Sequence, residues 1–433
     1  MALSPEVRKQ VESWLLSEIS KSASRTDSNM SAEQKQAHVE KTFDELFTKL
    51  IAKMSNDGHE PPSPQEEEAI KRYVLANQLG LGRLQLLIDD DRIENIDING
   101  CDNVDVTYAG SNGDPVRVDP VADSDEALVE LLQRAARLHH TGGERRIDFS
   151  QPTVDLHLQG GHRLSALLVA SDRPNISIRR HRLADPTMEN IRDMCSPELW
   201  EFLHVAMQAR LNIVICGGTD AGKTTFLRAL MSLAAGDRII TIELSRELGF
   251  HLNPRYQGRC ASWEYQYPNT EGRGEITMKT LVIRANRHHP KRVVVGEVLG
   301  DEIVPMLNAM SAGHAGSLCT IHADSSEMVF DRIKAYASQS ATPLTDAASA
   351  RMIAGAVDLI IFIDKMTLPS GISQRYVASV RAVSKAINNN TDNTSSEIFA
   401  SPAKEKGPAR PAHPMPHELR QKLTKAGFER YIR

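Results

Sequence analysis

The 433-residue sequence predicts an α/β domain over residues 185–433, preceded by an α+β domain over 80–184 and a small helical bundle over 1–79. Three observations carry that expectation. In the C-terminal half, near-continuous apolar runs alternate with helical stretches, as strands buried on both faces of a sheet require. In the middle of the chain, apolar and polar residues alternate with the period of half-buried strands. In the first eighty residues, apolar side chains recur at helical spacing.

The elements follow in order. Val7, Val11, Trp14 and Leu15 are expected on one face of a first helix, with Pro5 in its first turn. Val39, Phe43, Leu46, Phe47 and Leu50 mark a second, after a Ser-rich link. Ser63-Pro64-Gln65-Glu66 is a capping box that opens a third helix through Ile70 and Val74. Strands are expected around Ile96 and Ile98, and at Val104, Val106 and Tyr108. A helix capped within 123–126 buries Leu128, Leu131, Leu132, Ala135 and Leu138, and Gly142-Gly143 stops it. Val154, Leu156 and Leu158 then pair with Leu164, Ala166 and Leu168 across a Gly160-Gly161 turn. Ile176 and Ile178 form one more strand before a linker near Asp185-Pro186. Beyond it lie apolar strands at 211–216, 239–242, 293–295 and 359–363. The Asn-, Ser- and Pro-rich tail over 388–416 is expected to loop over the surface, and an amphipathic helix over 419–426 follows.

Composition narrows the function classes. A formal net charge of −5 gives no global attraction to nucleic acid or anionic lipid. No apolar run reaches membrane-spanning length, and no basic-then-apolar leader opens the sequence. Five scattered cysteines without metal-ligand spacing read as free thiols of a reducing compartment. The expectation is a cytoplasmic protein, or one peripheral to the inner membrane.

The chemistry centres on Gly217-Gly218-Thr219-Asp220-Ala221-Gly222-Lys223-Thr224, which fits G-x-x-x-x-G-K-[ST] between a predicted strand and helix. Glycines let the backbone fold into a ring of N–H donors around phosphate oxygens, and a helix N-terminus adds partial positive charge. Lys223 is placed to reach the β- and γ-phosphates of ATP, and the Thr224 hydroxyl to complete a Mg²⁺ shell. Downstream, the strand over 292–296 ends in Glu297, an acid suited to Mg²⁺ or to the attacking water. Glycines, hydroxyls and two imidazoles crowd the segment over 313–323, poor core material that suits a polar sensor loop containing His322.

Four segments in this order, residues 217–224, Ile242-Glu243 with Glu247-Leu248, Val295-Gly296-Glu297 and residues 313–323, resemble the Walker A, Asp box, Walker B and His box of the secretion ATPase superfamily. That superfamily powers type II secretion, type IV pili and type IV secretion. Residues 269–277 and Ile176-Ser177-Ile178-Arg179-Arg180 are similar to its CpaF-like branch, which assembles tight-adherence (Flp) pili. The resemblance implies a RecA-like P-loop ATPase domain in a homo-hexameric motor that engages an inner-membrane platform protein. It implies that Thr225 joins the phosphate site, that Glu243 and Glu247 lie near the γ-phosphate, that Glu297 is the Walker B acid, and that His322 senses γ-phosphate. Arg163 and Arg179 of the preceding domain, and Arg287, are its candidate charge-neutralising cations.

The chain departs from the family pattern at three positions. Leu244 stands where Asp usually follows the first Asp-box Glu, Leu299 where Arg often follows Walker B, and His289 where Arg is common before Pro290. Loss of the polar groups at 244 and 299 keeps open a nucleotide-gated scaffold with little hydrolysis, His289 weakens an arginine-finger role for its segment, and a conjugative DNA-transfer motor is a third reading. The acidic balance and the lack of a basic, aromatic-rich stripe weigh against direct DNA contact.

Overall fold

A computed structural model describes residues 5–23, 32–56, 61–108, 114–138, 147–158, 162–180, 185–268, 273–368, 373–389, 391–402 and 406–428. The expected Gly142-Gly143 stop, the Gly160-Gly161 turn and residues 269–272 lie outside them. The chain divides into two compact units, Met1–Arg182 and Leu183–Arg433.

The first unit opens with helices α1 (Pro5–Ala23), α2 (Ala32–Asn56) and α3 (Pro64–Leu79), followed by the short α4 (Arg83–Ile88). The Ser63–Glu66 capping box is formed. The bundle core is Val11, Leu15, Ile19, Val39, Phe43, Phe47, Ile70 and Val74. Val7 and Trp14 are about two-fifths exposed, so the buried stripe of α1 runs through Ile19 instead of through them.

Next come β1 (Ile93–Asn99), β2 (Val104–Tyr108), β3 (Pro115–Val118), α5 (Asp125–Leu138), β4 (Thr153–His157), β5 (Arg163–Leu167) and β6 (Asn175–Arg179). The strands form an antiparallel sheet in the order β3-β2-β1-β6-β5-β4. Ser124 caps α5 through the Ala127 N–H, and Leu128, Leu131, Leu132 and Ala135 of that helix are buried in the unit's core. Arg173 donates twice to Asp125 and pairs with Asp102, which ties the loop before β6 to the start of α5.

The second unit contains α6 (Pro197–Gln208), β7 (Ile213–Gly217), α7 (Lys223–Met231), β8 (Ile239–Glu243), β9 (Cys260–Glu264), α8 (Met278–Ala285), β10 (Arg292–Val298), α9 (Ile303–Ser311), β11 (Leu318–His322), α10 (Met328–Ser338), α11 (Asp346–Ala356), β12 (Leu359–Thr367), β13 (Ser373–Asn388), β14 (Asp392–Ala400), β15 (Arg410–Pro411) and α12 (His417–Lys425). One nine-stranded sheet runs β15-β14-β13-β12-β7-β11-β10-β8-β9. From β12 to β9 the pairings are parallel; from β12 to β15 they are antiparallel. One core packs α6, α7 and α12 on one face, and a second packs α8 to α11 on the other.

Two expectations are overturned here. The segment over 313–323 is not a loop throughout: Leu318–His322 is a strand between β7 and β10, with Leu318, Cys319, Thr320 and Ile321 buried. Its hydroxyls are accommodated because Thr320 donates to Gly296 O and Ser317 donates to His314 O while accepting from Val293 N. The tail over 388–416 likewise does not simply loop over the surface. Its residues 392–400 form β14, which zips along β13 and buries Ile398 and Phe399.

Asn212, just before β7, pins the strand starts together. Its Oδ1 accepts from Gly316 N and Ser317 N, and its Nδ2 donates to Met310 O and Ala356 O. Asn212→Ala leaves four interior backbone groups short of a partner, so we expect a loss of about 3 kcal/mol or more. In urea the midpoint should fall with the slope unchanged; an unmoved midpoint would refute this role.

Candidate functional site

The site forms where β7 ends. Its residues are apolar and fully buried up to Gly217, and the chain then bends through 218–222 before α7 begins at Lys223. A side chain at Gly217 would place a Cβ 2.5 Å from Ile363 O, and Gly222 has a left-handed φ of 90°. Asp220 is left-handed as well, at φ 59°. These turns set a tight loop at the N-terminus of a nine-residue helix, the arrangement in which backbone N–H groups and helix polarity favour an anion.

Lys223 is only 7% exposed. Its Nζ donates to Gly217 O (3.1 Å) and Gly218 O (2.9 Å) and lies 3.2 Å from His322 Nδ1. His322 Nε2 in turn lies 2.6 Å from Glu297 Oε1. Lys223 Nζ is also 3.4 Å from His322 Nε2, so the ammonium lies against the imidazole ring, which sits between it and the Glu297 carboxylate. Residues separated by as many as 99 positions therefore meet at the mouth of one loop.

Glu297 is aimed by a bulge. The register of β10 against β11 shifts between Val295 and Val298, which turns the acid out of the regular pleat. The carbonyl of Gly296 within the bulge is taken up by the Thr320 hydroxyl at 2.7 Å. The turn beyond is held by Glu302, which accepts from Leu299 N and Gly300 N. Leu299 itself is nearly half exposed.

Glu243 ends β8 and is buried, with its Cγ only 2.9 Å from where a Cβ on Gly296 would lie. Its Oε1 accepts from Glu247 N and Leu248 N, while Oε2 has no partner among the described residues. Burial raises its pKa to about 8; those two N–H bonds oppose the shift, and the Glu247 and Glu264 carboxylates add to it. A carboxyl whose folded pKa exceeds its unfolded value stabilises the fold fully below the unfolded pKa, and that contribution is lost as pH climbs through the folded one. Relative to Glu243→Gln, the wild type should therefore lose roughly 1.4 kcal/mol of stability per pH unit from about pH 5 to about pH 8. Urea midpoints of both proteins across that window test it, and parallel profiles would show that this carboxyl titrates ordinarily.

A family described as Type II/IV secretion system protein matches residues 144–401 of the sequence. The chain belongs to that family. As a secretion-system family member it is 33% identical over 302 residues to a Mycobacterium tuberculosis protein named for conjugal transfer, covering 67% of this chain and 82% of the relative. It is 26% identical over 314 residues to protein VirB11 of Agrobacterium fabrum, covering 63% of this chain and 85% of that one. Among solved structures, the ATPase DotB of Legionella pneumophila superposes with a TM-score of 0.51 at 16% identity, over 71% of this chain and 81% of that one. The fold of this family member is accordingly mixed α/β and RecA-like.

The remaining expected site residues are placed as follows. Thr224 and Thr225 are half-buried in the first turn of α7. Thr219 and Asp220 are exposed in the loop, and Ala221 is buried beneath it. Glu247 is half-buried and meets Glu243 through its backbone. Arg287 is exposed just beyond α8. Arg163 and Arg179 are direct cross-strand partners in the antiparallel sheet of the first unit. One hydroxyl (Thr224) and one carboxylate (Glu297) fit a Mg²⁺ that takes its other ligands from water and phosphate. No group of three or more His, Cys, Asp or Glu suited to a metal is found among the described residues.

Sequence reasoning missed Thr320, Glu302 and Arg375. Thr320 supports β10 from the neighbouring strand, and Glu302 holds the turn that follows it. Arg375, on β13, donates from Nε to Asp220 O at 2.9 Å. No helix among the described residues is long and apolar enough to cross a membrane.

Proposed function

We propose that the protein hydrolyses ATP and works as a homo-hexameric motor, driving pilus assembly or protein export by engaging an inner-membrane platform protein. The observation that carries this reading is the junction of Lys223, His322 and Glu297 at the mouth of the glycine loop. Backbone N–H groups of 218–223 and the Lys223 ammonium hold the β- and γ-phosphates. Glu297 orients a water for in-line attack and draws on its proton, while His322, in contact with Glu297, registers whether the terminal phosphate is present. Thr224 and Glu297 would hold a Mg²⁺, which would supply charge neutralisation at the phosphates. Glu243 and Glu247 shape the neighbouring wall.

Residues 176–180 and 273–277 support the tight-adherence pilus branch as the finer reading. The names of the conjugal-transfer relatives favour a second reading, in which the same motor serves DNA transfer. Steady phosphate release by the full chain, together with a hexamer on equilibrium sizing with a non-hydrolysable ATP analogue and Mg²⁺, is the expected result. Tight binding without turnover would favour a nucleotide-gated scaffold, a strictly monomeric species would remove the ring, and stimulation of turnover by DNA would favour the conjugative reading.

A further inference from the structure

The glycine loop has two flanks. On one lie β11 and β10, carrying His322 and Glu297. On the other lies β12, whose Ile363 is the parallel partner of Gly217. Where β7 turns into the loop, β12 runs on to Thr367, and β13 returns beside it with Arg375 opposite Lys365. The end of this hairpin therefore stands past the strand end, alongside the loop.

Arg375 reaches from the hairpin onto the loop. Besides the Nε bond to Asp220 O, its Cδ is 3.0 Å from where a Cβ on Gly222 would lie. Its stem thus rests on the residue that caps α7, while the residue as a whole stays exposed. Any side chain at position 222 would displace it.

We propose that Arg375 recognises the nucleoside half of the nucleotide, the ribose–base end, and not the phosphates. The proposal rests on the reading of the loop as a nucleotide site. A nucleoside triphosphate has two unlike ends. With the terminal phosphate directed at Lys223, His322 and Glu297, the other end leaves the loop over the opposite flank, where the β12–β13 hairpin stands. A guanidinium suits that end doubly: its fork donates to ribose oxygens and ring nitrogens, and its face stacks on a purine. Anchoring through Asp220 O fixes the side chain beforehand, which lowers the ordering cost of the contact. Lys365, across the strand pair, adds a second cation to the same flank.

The test compares ADP with inorganic tripolyphosphate, which carries the phosphates without a nucleoside. Both are titrated calorimetrically into the full-length wild type and Arg375→Ala, and KM and kcat for ATP are measured in parallel. Arg375→Ala should weaken ADP about tenfold, raise KM for ATP by a similar factor, and leave kcat and tripolyphosphate affinity unchanged. Arg375→Lys keeps the stem against Gly222 and should show the same pattern at about threefold, which preserves the test if the alanine variant fails to fold. Equal weakening of tripolyphosphate would mean that Arg375 only shapes the loop, and would overturn the proposal. Unchanged ADP affinity would overturn it while leaving the phosphate reading intact. A wild type that binds neither compound would overturn both.

Discussion

Lys223→Ala should lower kcat/KM for ATP by about 10²–10³-fold, the usual cost of removing one preorganised donor from a charged transition state. The ammonium is placed for that role before any phosphate arrives. It is almost wholly buried, and two loop carbonyls and an imidazole hold it in position. An arriving phosphate exchanges those partners for charged oxygens, which make stronger, charge-assisted bonds to the ammonium. Lys223→Arg should not rescue, because a planar fork does not fit between the Gly217 and Gly218 carbonyls. Phosphate release and calorimetric binding check both variants; turnover within a few-fold of wild type would remove the loop from the chemistry.

Glu297→Gln should separate binding from turnover. The amide keeps the size of the acid against His322, so the junction at the loop mouth should persist, but the negative charge and the proton acceptor are gone. We expect kcat to fall by roughly 10²–10⁴-fold with nucleotide affinity little changed. Single-turnover kinetics beside equilibrium binding resolve the two quantities. Parallel loss of both would mean that the acid serves mainly to hold the nucleotide.

The legible parts of the fold were those whose determinants are local. The strand over 211–216 and the glycine loop after it could be read because an apolar run, a fixed glycine spacing and an amphipathic helix lie within about twenty residues of one another. The Ser63 capping box is equally local. β11 escaped because its Thr320 and the preceding Ser317 look like loop residues until Gly296 O and Val293 N arrive from another strand. β14 escaped for a related reason. Its Asn- and Ser-rich outer positions hide the two apolar residues, Ile398 and Phe399, that face the core. Within the site, Glu297 and His322 were legible from sequence as separate motifs, but their contact was not. Arg375 carried no sequence signal, since an arginine in an alternating strand reads as ordinary solvent-facing charge. Only the overrun of β12 past Gly217 brings it to the loop.

Cys216 directly precedes Gly217, yet it is fully buried. Burial drives its thiol far above the normal range, and drives Cys195, Cys260 and Cys319 up to about 12. A thiolate is therefore scarce at these positions while the sheet is closed. Alkylation at Cys216 then serves as a clock for opening of the sheet: its rate counts excursions of β7 from between β11 and β12, not visits of reagent to the neighbouring loop.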